Sequence, residues 1–308
     1  MRIVIAGGTG FLGEPLAAAL ARNSSAIESQ EIVVLTRRTP PPARKAGRRF
    51  VTWTPDGSAG PWKAEIEAAE AVINLAGEPI AGRRWSAAQK KRILDSRVLA
   101  TRSLAHAILE APKPPAVLVN QSGTGYYGLL GDEVVREDHP PGQDFLAQVC
   151  VAWEAESASL TSATRVVTMR TGLVLERDGG ALPRMLLPFR LGAGGPVGSG
   201  RQYWPWIHRL DWIELVRFLI HTPSCSGPLN ASAPNPVTNL EFARMLGRTL
   251  HRPALLPTPG FVLKIALGEM AEALLLSGQR AVPARAMAAG FQFRFSQLGQ
   301  ALEAIFAA

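Results

Sequence analysis

The chain has 308 residues, of which 47% are hydrophobic and 19% charged, and this composition excludes an intrinsically disordered protein. The net charge of +8 favours anionic partners, although only weakly. The 2 cysteines and 5 histidines show no metal-ligand spacing, so neither a disulfide framework nor a metal site is expected. No signal peptide and no apolar run of about 18 residues occurs, so we expect a cytoplasmic protein without a membrane partner.

Apolar strands alternate with amphipathic helices through about the first 175 residues. This alternation predicts an α/β fold with a Rossmann-type, doubly wound parallel sheet. A capping box at Ser86 and Gln89 is expected to open a long helix. Strands are predicted at 3–6, 31–35, 51–53, 71–75, 116–121 and 165–170, and helices from about Leu12, Ser86 and Phe145.

The pattern changes after about residue 175. A glycine-rich loop spans 192–200, and a second capping box at Thr238 and Glu241 opens a helix. We expect a first domain at 1–175, which could regain a strand or helix from 204–222, and a smaller α/β lobe at 176–308. That lobe is predicted to contain helices near 261–276 and 298–306, with a short strand at 290–295 between them.

A glycine-rich turn joins the first predicted strand to the first helix. It carries the pattern Gly-x-x-Gly-x-x-Gly in the strand–turn–helix context of dinucleotide-binding proteins. Glycines permit close approach of a pyrophosphate, and the helix N-terminus supplies free N–H groups. An ordinary strand–helix turn is the alternative. The predicted cofactor-binding residues here are Gly7, Gly8, Thr9, Gly10, Phe11, Leu12 and Gly13.

The end of the second predicted strand indicates which dinucleotide is bound. NAD sites usually have an acidic residue there, whereas this chain has Thr36, Arg37 and Arg38. The fork of an arginine suits a 2′-phosphate, so we predict NADP (NADPH) as the cofactor. A solvated basic turn is one alternative, continuing through Arg44, Lys45, Arg48 and Arg49. A nucleic-acid patch is the other, but the lack of interleaved aromatic residues disfavours nucleic acid as a partner.

Several further motifs are similar to those of the extended short-chain dehydrogenases/reductases. More narrowly, the chain resembles the atypical epimerase family of the nucleoside-diphosphate-sugar epimerase type, including its C-terminal domain of unknown function at about 257–301. The resemblance covers nearly the whole chain. The motifs that carry it are Asn74-Leu75-Ala76-Gly77, Ser122 to Gly128, Trp153-Glu154, Leu187 to Gly192, Gly198 to His208 and Trp206 to Asp211.

The resemblance implies further cofactor-binding residues. Leu75 and Ala76 would line the adenine and ribose, with Asn74 and Gly77 in the same element, and Arg97 would point at the cofactor. The alternative for Arg97 is a surface helix charge. The resemblance also implies a nucleotide-sugar or other carbonyl substrate.

The chain departs from this family at its catalytic pair. No Tyr-x-x-x-Lys occurs anywhere, and the family positions fall on Leu146 and Cys150. Ser122 and Thr124 could instead donate hydrogen bonds to a substrate carbonyl, and Tyr127 could act as a phenol with a pKa near 10. The alternative for Ser122 and Thr124 is that they only shape a turn, and the alternative for Tyr127 is that it packs in the core. Glu154 could move protons if it is buried, or could be a solvated helix charge, and Cys150 is expected to be a buried hydrophobe.

A small, anionic or sugar-like substrate is expected near the glycine-rich loop. Arginines and aromatic side chains there could bind it by ion pairing and stacking, or could belong to a lid-like loop. His208 and Asp211 are expected to act as hinge and N-cap residues rather than as catalysts. The predicted substrate-binding residues are Arg190, Arg201, Trp206 and His208, with Arg184, Tyr203 and Trp204 nearby.

Two functions remain open at this point. The first is an NADP-dependent oxidoreductase or epimerase-like enzyme with an unusual proton donor, and a homo-oligomer is compatible with it. The second is a non-catalytic NADP(H)-binding sensor or scaffold. The missing Tyr-Lys pair favours the second, whereas the polar and aromatic second lobe favours the first.

Overall fold

The computed structural model describes residues 1–22, 30–38, 47–67 and 69–307. Its first half alternates strands and helices as the sequence predicts. The elements in chain order are β1 (Arg2–Ala6), α1 (Gly13–Arg22), β2 (Glu31–Thr36), β3 (Arg48–Thr52), α2 (Ala64–Glu67), β4 (Ala71–Asn74), α3 (Ala87–Glu110), β5 (Val117–Gly123), β6 (Val134–Val135), α4 (Phe145–Ala158) and β7 (Arg165–Thr171).

The second half contributes more and shorter elements. They are β8 (Leu173–Leu175), α5 (Leu182–Arg190), β9 (Tyr203–Trp204), β10 (Trp206–His208), α6 (Arg209–His221), β11 (Gly227–Ala231), β12 (Val237–Thr238), α7 (Asn239–Thr249), α8 (Gly260–Leu267), α9 (Glu269–Ala271), β13 (Arg280–Ala281), α10 (Ala284–Ala288) and α11 (Leu298–Ala307). Two two-stranded ribbons form among them, β8 with β10 and β9 with β12, and β13 forms a third with β6 of the first half.

A seven-stranded parallel sheet lies at the centre, in the order β11-β7-β5-β4-β1-β2-β3. The predicted doubly wound Rossmann-type fold is therefore confirmed. Side chains of a strand alternate between the two faces of the sheet. Ile3 and Ile5 face one hydrophobic core, and Val4 and Ala6 face the other. Continuous apolar strands of this kind are typical of sheets that are covered on both faces.

The edge strand β11 comes from beyond residue 175, and so does the helix α6 that precedes it. Trp212, Val216 and Leu219 of α6 are fully buried in the core that also contains Ile3 and Ile5. The sheet layer thus draws on residues on both sides of the expected boundary at 175. The helix α6 lies within the 204–222 stretch from which a strand or helix was expected to return, whereas β11 lies beyond that stretch.

The remaining residues pack around a third core. It joins α5, α7 and α11 through buried side chains that include Leu186, Phe242, Leu246 and Leu302. The predicted capping box of α7 is complete, because Thr238 accepts from the Glu241 N–H and the Glu241 side chain accepts in return. This core supports the smaller lobe.

One local prediction was wrong, and a second was half right. Residues 290–295 form no strand, because the Asp211 carboxylate accepts the N–H groups of Arg294 and Phe295 at 2.9 Å each, in place of a strand partner. At the start of α3, Ser86 caps the Gln89 N–H at 3.2 Å. The reciprocal half of that box is replaced, since the Gln89 side-chain oxygen accepts from Arg92 at 2.6 Å.

No helix in the described part of the chain is long and apolar enough to cross a bilayer. Within the same ranges, no three His, Cys, Asp or Glu side chains come together as metal ligands.

Candidate cofactor and catalytic site

Two glycines of the first turn are required by the protein's own backbone. Gly7 has φ +76°, and a Cβ there would lie 2.6 Å from the carbonyl oxygen of Leu75. A Cβ at Gly13 would clash with the carbonyl oxygen of Gly7 and lie 2.6 Å from the Cα of Gly8. These two residues therefore set the tight turn and the close approach of α1 to it.

The middle glycine is different. A Cβ at Gly10 would meet only the carbonyl oxygen of Gly7, at 3.4 Å, so the protein itself does not require glycine there. Thr9 and Gly10 are exposed, and the N–H groups of Phe11, Leu12 and Gly13 have no backbone partner among the described residues. Free N–H groups at a helix N-terminus bind anionic groups. The open space over Gly10 and these donors fit the pyrophosphate of a dinucleotide.

Two exposed arginines follow β2. The Arg38 N–H donates to the buried Thr36 hydroxyl at 3.2 Å, and the Thr52 hydroxyl donates to the Arg38 carbonyl at 3.0 Å. Within the described ranges, neither Arg37 nor Arg38 has a carboxylate partner. They are therefore free to bind an anionic group such as a 2′-phosphate.

The rest of the predicted basic turn does not extend this anion site. Arg48 pairs with Glu14 at 2.9 Å, and Arg49 pairs with Glu31 at 3.1 Å and also with Glu65. The other two basic residues of that interpretation, Arg44 and Lys45, lie outside the described residues.

A buried side-chain amide holds the loop that follows β4. Asn74 donates to Thr101 at 2.9 Å and to the Asn120 side chain at 2.8 Å, and its oxygen accepts from the Ala76 N–H at 3.2 Å. Asn74 therefore holds the loop in place from inside the core, while Leu75 and Ala76 are partly exposed at the sheet edge and Gly77 is exposed.

Arg97 of α3 lies against this same loop. Its guanidinium donates to the carbonyl oxygens of Glu78 at 3.0 Å and Ile93 at 2.9 Å, and it stacks 5.2 Å from the ring of Trp153. A Cβ at Gly77 would lie 3.1 Å from it. Burial lowers the pKa of Arg97, so the interpretation as a solvated surface charge is wrong.

Apolar groups line the loop that follows β5. A Cβ at Gly125 would lie 3.2 Å from the Cβ of Leu146, and one at Gly123 would lie 3.9 Å from the Sγ of Cys150. Leu146 and Cys150 are the positions that the resemblance assigns to the missing Tyr-Lys pair. Burial raises the pKa of Cys150 to about 11, so its thiol stays protonated at neutral pH and is a poor nucleophile.

Behind this loop lies a buried ion pair. Arg170 of β7 donates to both carboxylate oxygens of Glu154, at 3.0 and 2.9 Å. The Ser122 hydroxyl donates to the same carboxylate at 2.7 Å. Glu154 is thus neither a solvated charge nor a free base, and the predicted catalytic hydroxyl of Ser122 is already engaged inside the protein.

Tyr127 belongs to the same network and not to an open site. It is 1% exposed, and its hydroxyl donates to the Asn230 side chain at 2.6 Å and accepts from Arg170 at 3.2 Å. Burial raises the pKa of Tyr127 to about 12, above the value near 10 that we predicted. The short helical turn of Thr124–Tyr127 carries the phenol beneath the loop, so the prediction of a catalytic Tyr127 is wrong.

Thr124 is the remaining member of the predicted donor set. It is the first residue of that turn and lies at the carboxyl edge of the sheet. Among the described residues, its hydroxyl has no hydrogen-bond partner. Thr124 is therefore the one predicted catalytic side chain that could still donate to a bound carbonyl.

The expected substrate-binding residues divide into two groups. Trp206 is fully buried and donates to the Asn235 carbonyl at 3.1 Å. His208 is the N-cap of α6, accepts from the Leu210 N–H at 3.0 Å and stacks on Phe295. Both pack in the core, so their assignment to substrate binding is wrong. The neighbouring prediction that Asp211 is an N-cap is also wrong, because Asp211 lies within α6.

The two arginines of the expected substrate set remain predictions. Arg190 and Arg201 are exposed. Arg184 instead donates to the Ala81 carbonyl at 2.6 Å, and the Arg280 guanidinium lies 5.0 Å from the Tyr203 ring.

Sequence reasoning missed Arg170, the centre of the buried network. Besides its bonds to Glu154 and Tyr127, its guanidinium lies 3.3 Å from the centre of the Tyr126 ring and donates to the Glu137 carbonyl at 3.1 Å. The available signal was an arginine within a strand that is otherwise buried after its first residue, which indicates a charge that must find a buried partner.

Comparisons with known proteins agree with this arrangement. Residues 3–230 match the profile of the NAD dependent epimerase/dehydratase family, and residues 258–305 match a domain of unknown function, DUF1731. The chain is 40% identical over 311 residues to "Epimerase family protein SDR39U1" of Bos taurus, with 100% of both chains covered. It is 37% identical over 309 residues to "Epimerase family protein YfhF" of Bacillus subtilis, covering 100% of this chain and 98% of the relative.

Solved structures show the same fold. The human epimerase family protein SDR39U1, crystallised with NADPH, superposes with a TM-score of 0.86 at 38% identity, covering 99% of each chain. UDP-glucuronic acid 4-epimerase from Bacillus cereus superposes with a TM-score of 0.78 at 17% identity, covering 100% of this chain and 98% of that chain. The second likeness concerns the fold alone.

Proposed function

Because the chain belongs to the NAD dependent epimerase/dehydratase family, we propose that it binds NADP(H) and reduces a carbonyl compound. The observation that carries the cofactor assignment is the open space over Gly10, together with two exposed arginines at the end of β2 that have no carboxylate partner among the described residues. The free N–H groups of the first turn would hold the pyrophosphate, and Arg37 would hold the 2′-phosphate. The NADPH in the human relative supports the same choice of cofactor.

The cofactor proposal is tested by titrating NADPH and NADH into the protein by calorimetry. We expect NADPH to bind at least about tenfold more tightly, which corresponds to about 1.4 kcal/mol and is modest for a charge-assisted arginine–phosphate contact. Arg37→Ala should reduce this preference. As a matched control, Lys113→Ala removes an exposed charge after α3 and should leave the ratio unchanged. Equal affinities of the two cofactors for the native protein would refute the proposal.

The direction of the reaction follows from the groups that surround the cofactor. Bound NADPH supplies a hydride. Leu146 and the protonated Cys150 thiol offer no base that could take a proton from an alcohol, whereas the Thr124 hydroxyl can donate to the oxygen of a carbonyl. A donor placed there would stabilise the alkoxide that develops as the carbonyl carbon accepts the hydride, and the alkoxide would then take its proton from solvent water. The site therefore suits the reduction of a carbonyl by NADPH.

A second function is favoured by a specific observation. The hydroxyls of Ser122 and Tyr127 are both engaged in the buried network around Arg170, and this is the arrangement expected if the protein binds NADP(H) without chemistry. Such a protein would act as a sensor or scaffold.

Oxidation of NADPH in the presence of a panel of aldehydes and ketones distinguishes the two functions. If a substrate is found, Thr124→Val should lower kcat about tenfold or more while the Kd for NADPH changes little. Thr161→Val is the matched control, since Thr161 is exposed and lies beyond α4. Tight NADPH binding without turnover of any carbonyl would support the sensor and refute the reductase.

A further inference from the structure

An apolar patch protrudes from the second lobe. Among the exposed large hydrophobic side chains of the described residues, Leu255 is 80% exposed, Ile265 72% and Phe261 66%. Leu256 and Val262 are also exposed. We call these five residues the apolar patch. Exposed apolar groups are common singly, but several on one short helix and on the segment leading into it mark a surface that contacts something else.

The helix α8 accounts for most of this patch. It has the sequence Gly-Phe-Val-Leu-Lys-Ile-Ala-Leu, yet none of its residues is buried. Phe261, Val262 and Ile265 recur at the i, i+1 and i+4 positions and therefore lie on one side of the helix. A helix this apolar is normally buried in a core. Its apolar side is therefore unpartnered within this chain's described residues.

The patch is part of a defined surface and is not a loose end. Leu256 donates to the carbonyl of Gly194 at 3.2 Å, and Thr258 donates to the carbonyl of Pro196 at 2.9 Å. These bonds fasten the segment before α8 to the one that follows α5. The exposed Leu191 lies three residues before Gly194, so the end of α5 adjoins the same surface.

Positive charge borders the patch. Leu255 lines a concavity of about 460 Å³ together with Arg244, Arg248, His251 and Arg252. All four basic side chains are exposed, and none has a carboxylate partner in the part of the chain that the structure describes. We call the three arginines the basic rim. Cations near the C-terminus of α7 also complement the helix dipole.

The carboxylates closest to the patch in sequence are neutralised. Glu269 forms an ion pair with Lys90, and Glu272 forms one with Lys264 at 2.9 Å. Residues 244–272, which contain the patch, are therefore positive in net charge, with four Lys and Arg against two Glu.

We propose that this surface docks the protein onto an anionic lipid bilayer. Phe261, Ile265 and Leu255 would enter the boundary between headgroups and acyl chains, and the basic rim would contact lipid phosphates. This is peripheral contact by a short helix and needs no spanning segment. It differs from our expectation that the protein has no membrane partner, which considered only a spanning segment.

Two features favour a bilayer over a protein partner. Leu255, Ile265 and Phe261 are between about two thirds and four fifths exposed and protrude, whereas protein interfaces interlock anchors with pockets. In a dimer formed through this surface, the basic rims of the two copies would also face each other. Each copy carries a net charge of +8, so the two copies would repel each other. An anionic fluid surface complements both the shape and the charge.

Flotation with lipid vesicles tests the proposal. We expect the full-length protein to bind vesicles of phosphatidylglycerol and phosphatidylcholine, and to bind vesicles of phosphatidylcholine alone much less. Phe261→Ser/Ile265→Ser should weaken binding to the anionic vesicles at least about tenfold. Arg244→Ala/Arg248→Ala should weaken it roughly fivefold for each arginine removed, and added salt should weaken it further.

Matched variants separate docking from general effects. Leu109→Ser removes an exposed leucine at the end of α3. Lys91→Ala/Lys113→Ala removes two exposed positive charges, as Arg244→Ala/Arg248→Ala does, at positions that lie far from the patch in sequence. Both should bind anionic vesicles like the native protein. The thermal unfolding midpoint of every variant should stay close to native, because none of the altered side chains is buried.

Three outcomes would overturn the proposal. The first is no binding to vesicles of either composition. The second is equal loss of binding in the patch variants and in their controls. The third is a dimer in analytical ultracentrifugation that Phe261→Ser/Ile265→Ser converts to monomers without any vesicle binding, since the patch would then be covered by a second copy.

Discussion

The phenol of Tyr127 connects two buried polar groups, so its removal should destabilise the folded protein. Tyr127→Phe would leave the Asn230 oxygen without its donor and Arg170 without one acceptor. An unsatisfied buried group costs about 1–3 kcal/mol. We therefore expect Tyr127→Phe to lower the free energy of unfolding by about that amount, measured in urea, and to leave the Kd for NADPH unchanged.

Tyr126→Phe is the control for this prediction. Tyr126 contributes a ring beside Arg170, and the substitution keeps that ring. Its stability should stay within about 0.5 kcal/mol of native. If Tyr127→Phe were as stable as Tyr126→Phe but lost carbonyl turnover, the phenol would be catalytic after all.

The imidazole of His208 makes stability depend on pH. Burial, together with the charges of Arg209 and Arg294, lowers the pKa of His208 to about 4 in the folded protein, against about 6.5 when unfolded. The unfolded state therefore binds more protons between these values, so stability falls as pH drops from 6.5 towards 4. We expect a loss of about 2 kcal/mol from this group between pH 7 and pH 5.

Urea unfolding of the native protein and of His208→Asn at both pH values isolates this contribution. Asparagine is also a good N-cap, so the helix start should survive. The variant should lose about 2 kcal/mol less than native protein over this range. His106 is exposed, so the stability of His106→Asn should depend on pH as that of the native protein does. Identical pH dependence in native protein and His208→Asn would contradict a lowered pKa.

At the scale of elements, the turn between β1 and α1 separates folding from binding. Gly10→Ala adds a Cβ into space that the protein leaves open, so stability should change by less than about 1 kcal/mol. The same Cβ would obstruct the pyrophosphate, so affinity for NADPH should fall about tenfold or more. Gly13→Ala forces a clash with backbone atoms of the turn and should cost about 1–3 kcal/mol of stability. Calorimetry and urea unfolding of both variants measure the contrast, and a Gly10→Ala protein with native affinity would contradict the cofactor site.

Elements that depend on local pattern could be predicted from the sequence. The turn at Gly7–Gly13 and the strands beside it follow from apolar periodicity and glycine spacing. The prediction that Arg37 binds a 2′-phosphate follows from the absence of an acidic residue at the end of β2. The position of Tyr127 could not be predicted, because its partner Asn230 lies 103 residues away on β11. The strand predicted at 290–295 was wrong for the same reason. Asp211 lies far away in sequence and accepts the N–H groups of Arg294 and Phe295.

At the scale of the whole molecule, the two halves are tied together by the C-terminal segment. The Gln279 side chain donates to the Gly128 carbonyl at 2.5 Å, and Asn230 donates to the Val282 carbonyl at 3.0 Å. These bonds bring the segment around β13 against the loop after β5. The second lobe thus supports the loop after β5 from behind.

The expected domain boundary at 175 can be tested directly, because β11 is an edge strand of the central sheet and α6 packs against that sheet. A fragment of residues 1–175 would lose Trp212, Val216 and Leu219 from the first core, and each fully buried side chain contributes about 1.5–3 kcal/mol. That sum is comparable with the whole stability of a domain, about 5–15 kcal/mol. We therefore expect the fragment to show no cooperative thermal transition by circular dichroism, and the full chain to show one. Co-expression with residues 176–308 as a separate chain should restore the transition, whereas a fragment that unfolds cooperatively alone would place a true domain boundary at 175.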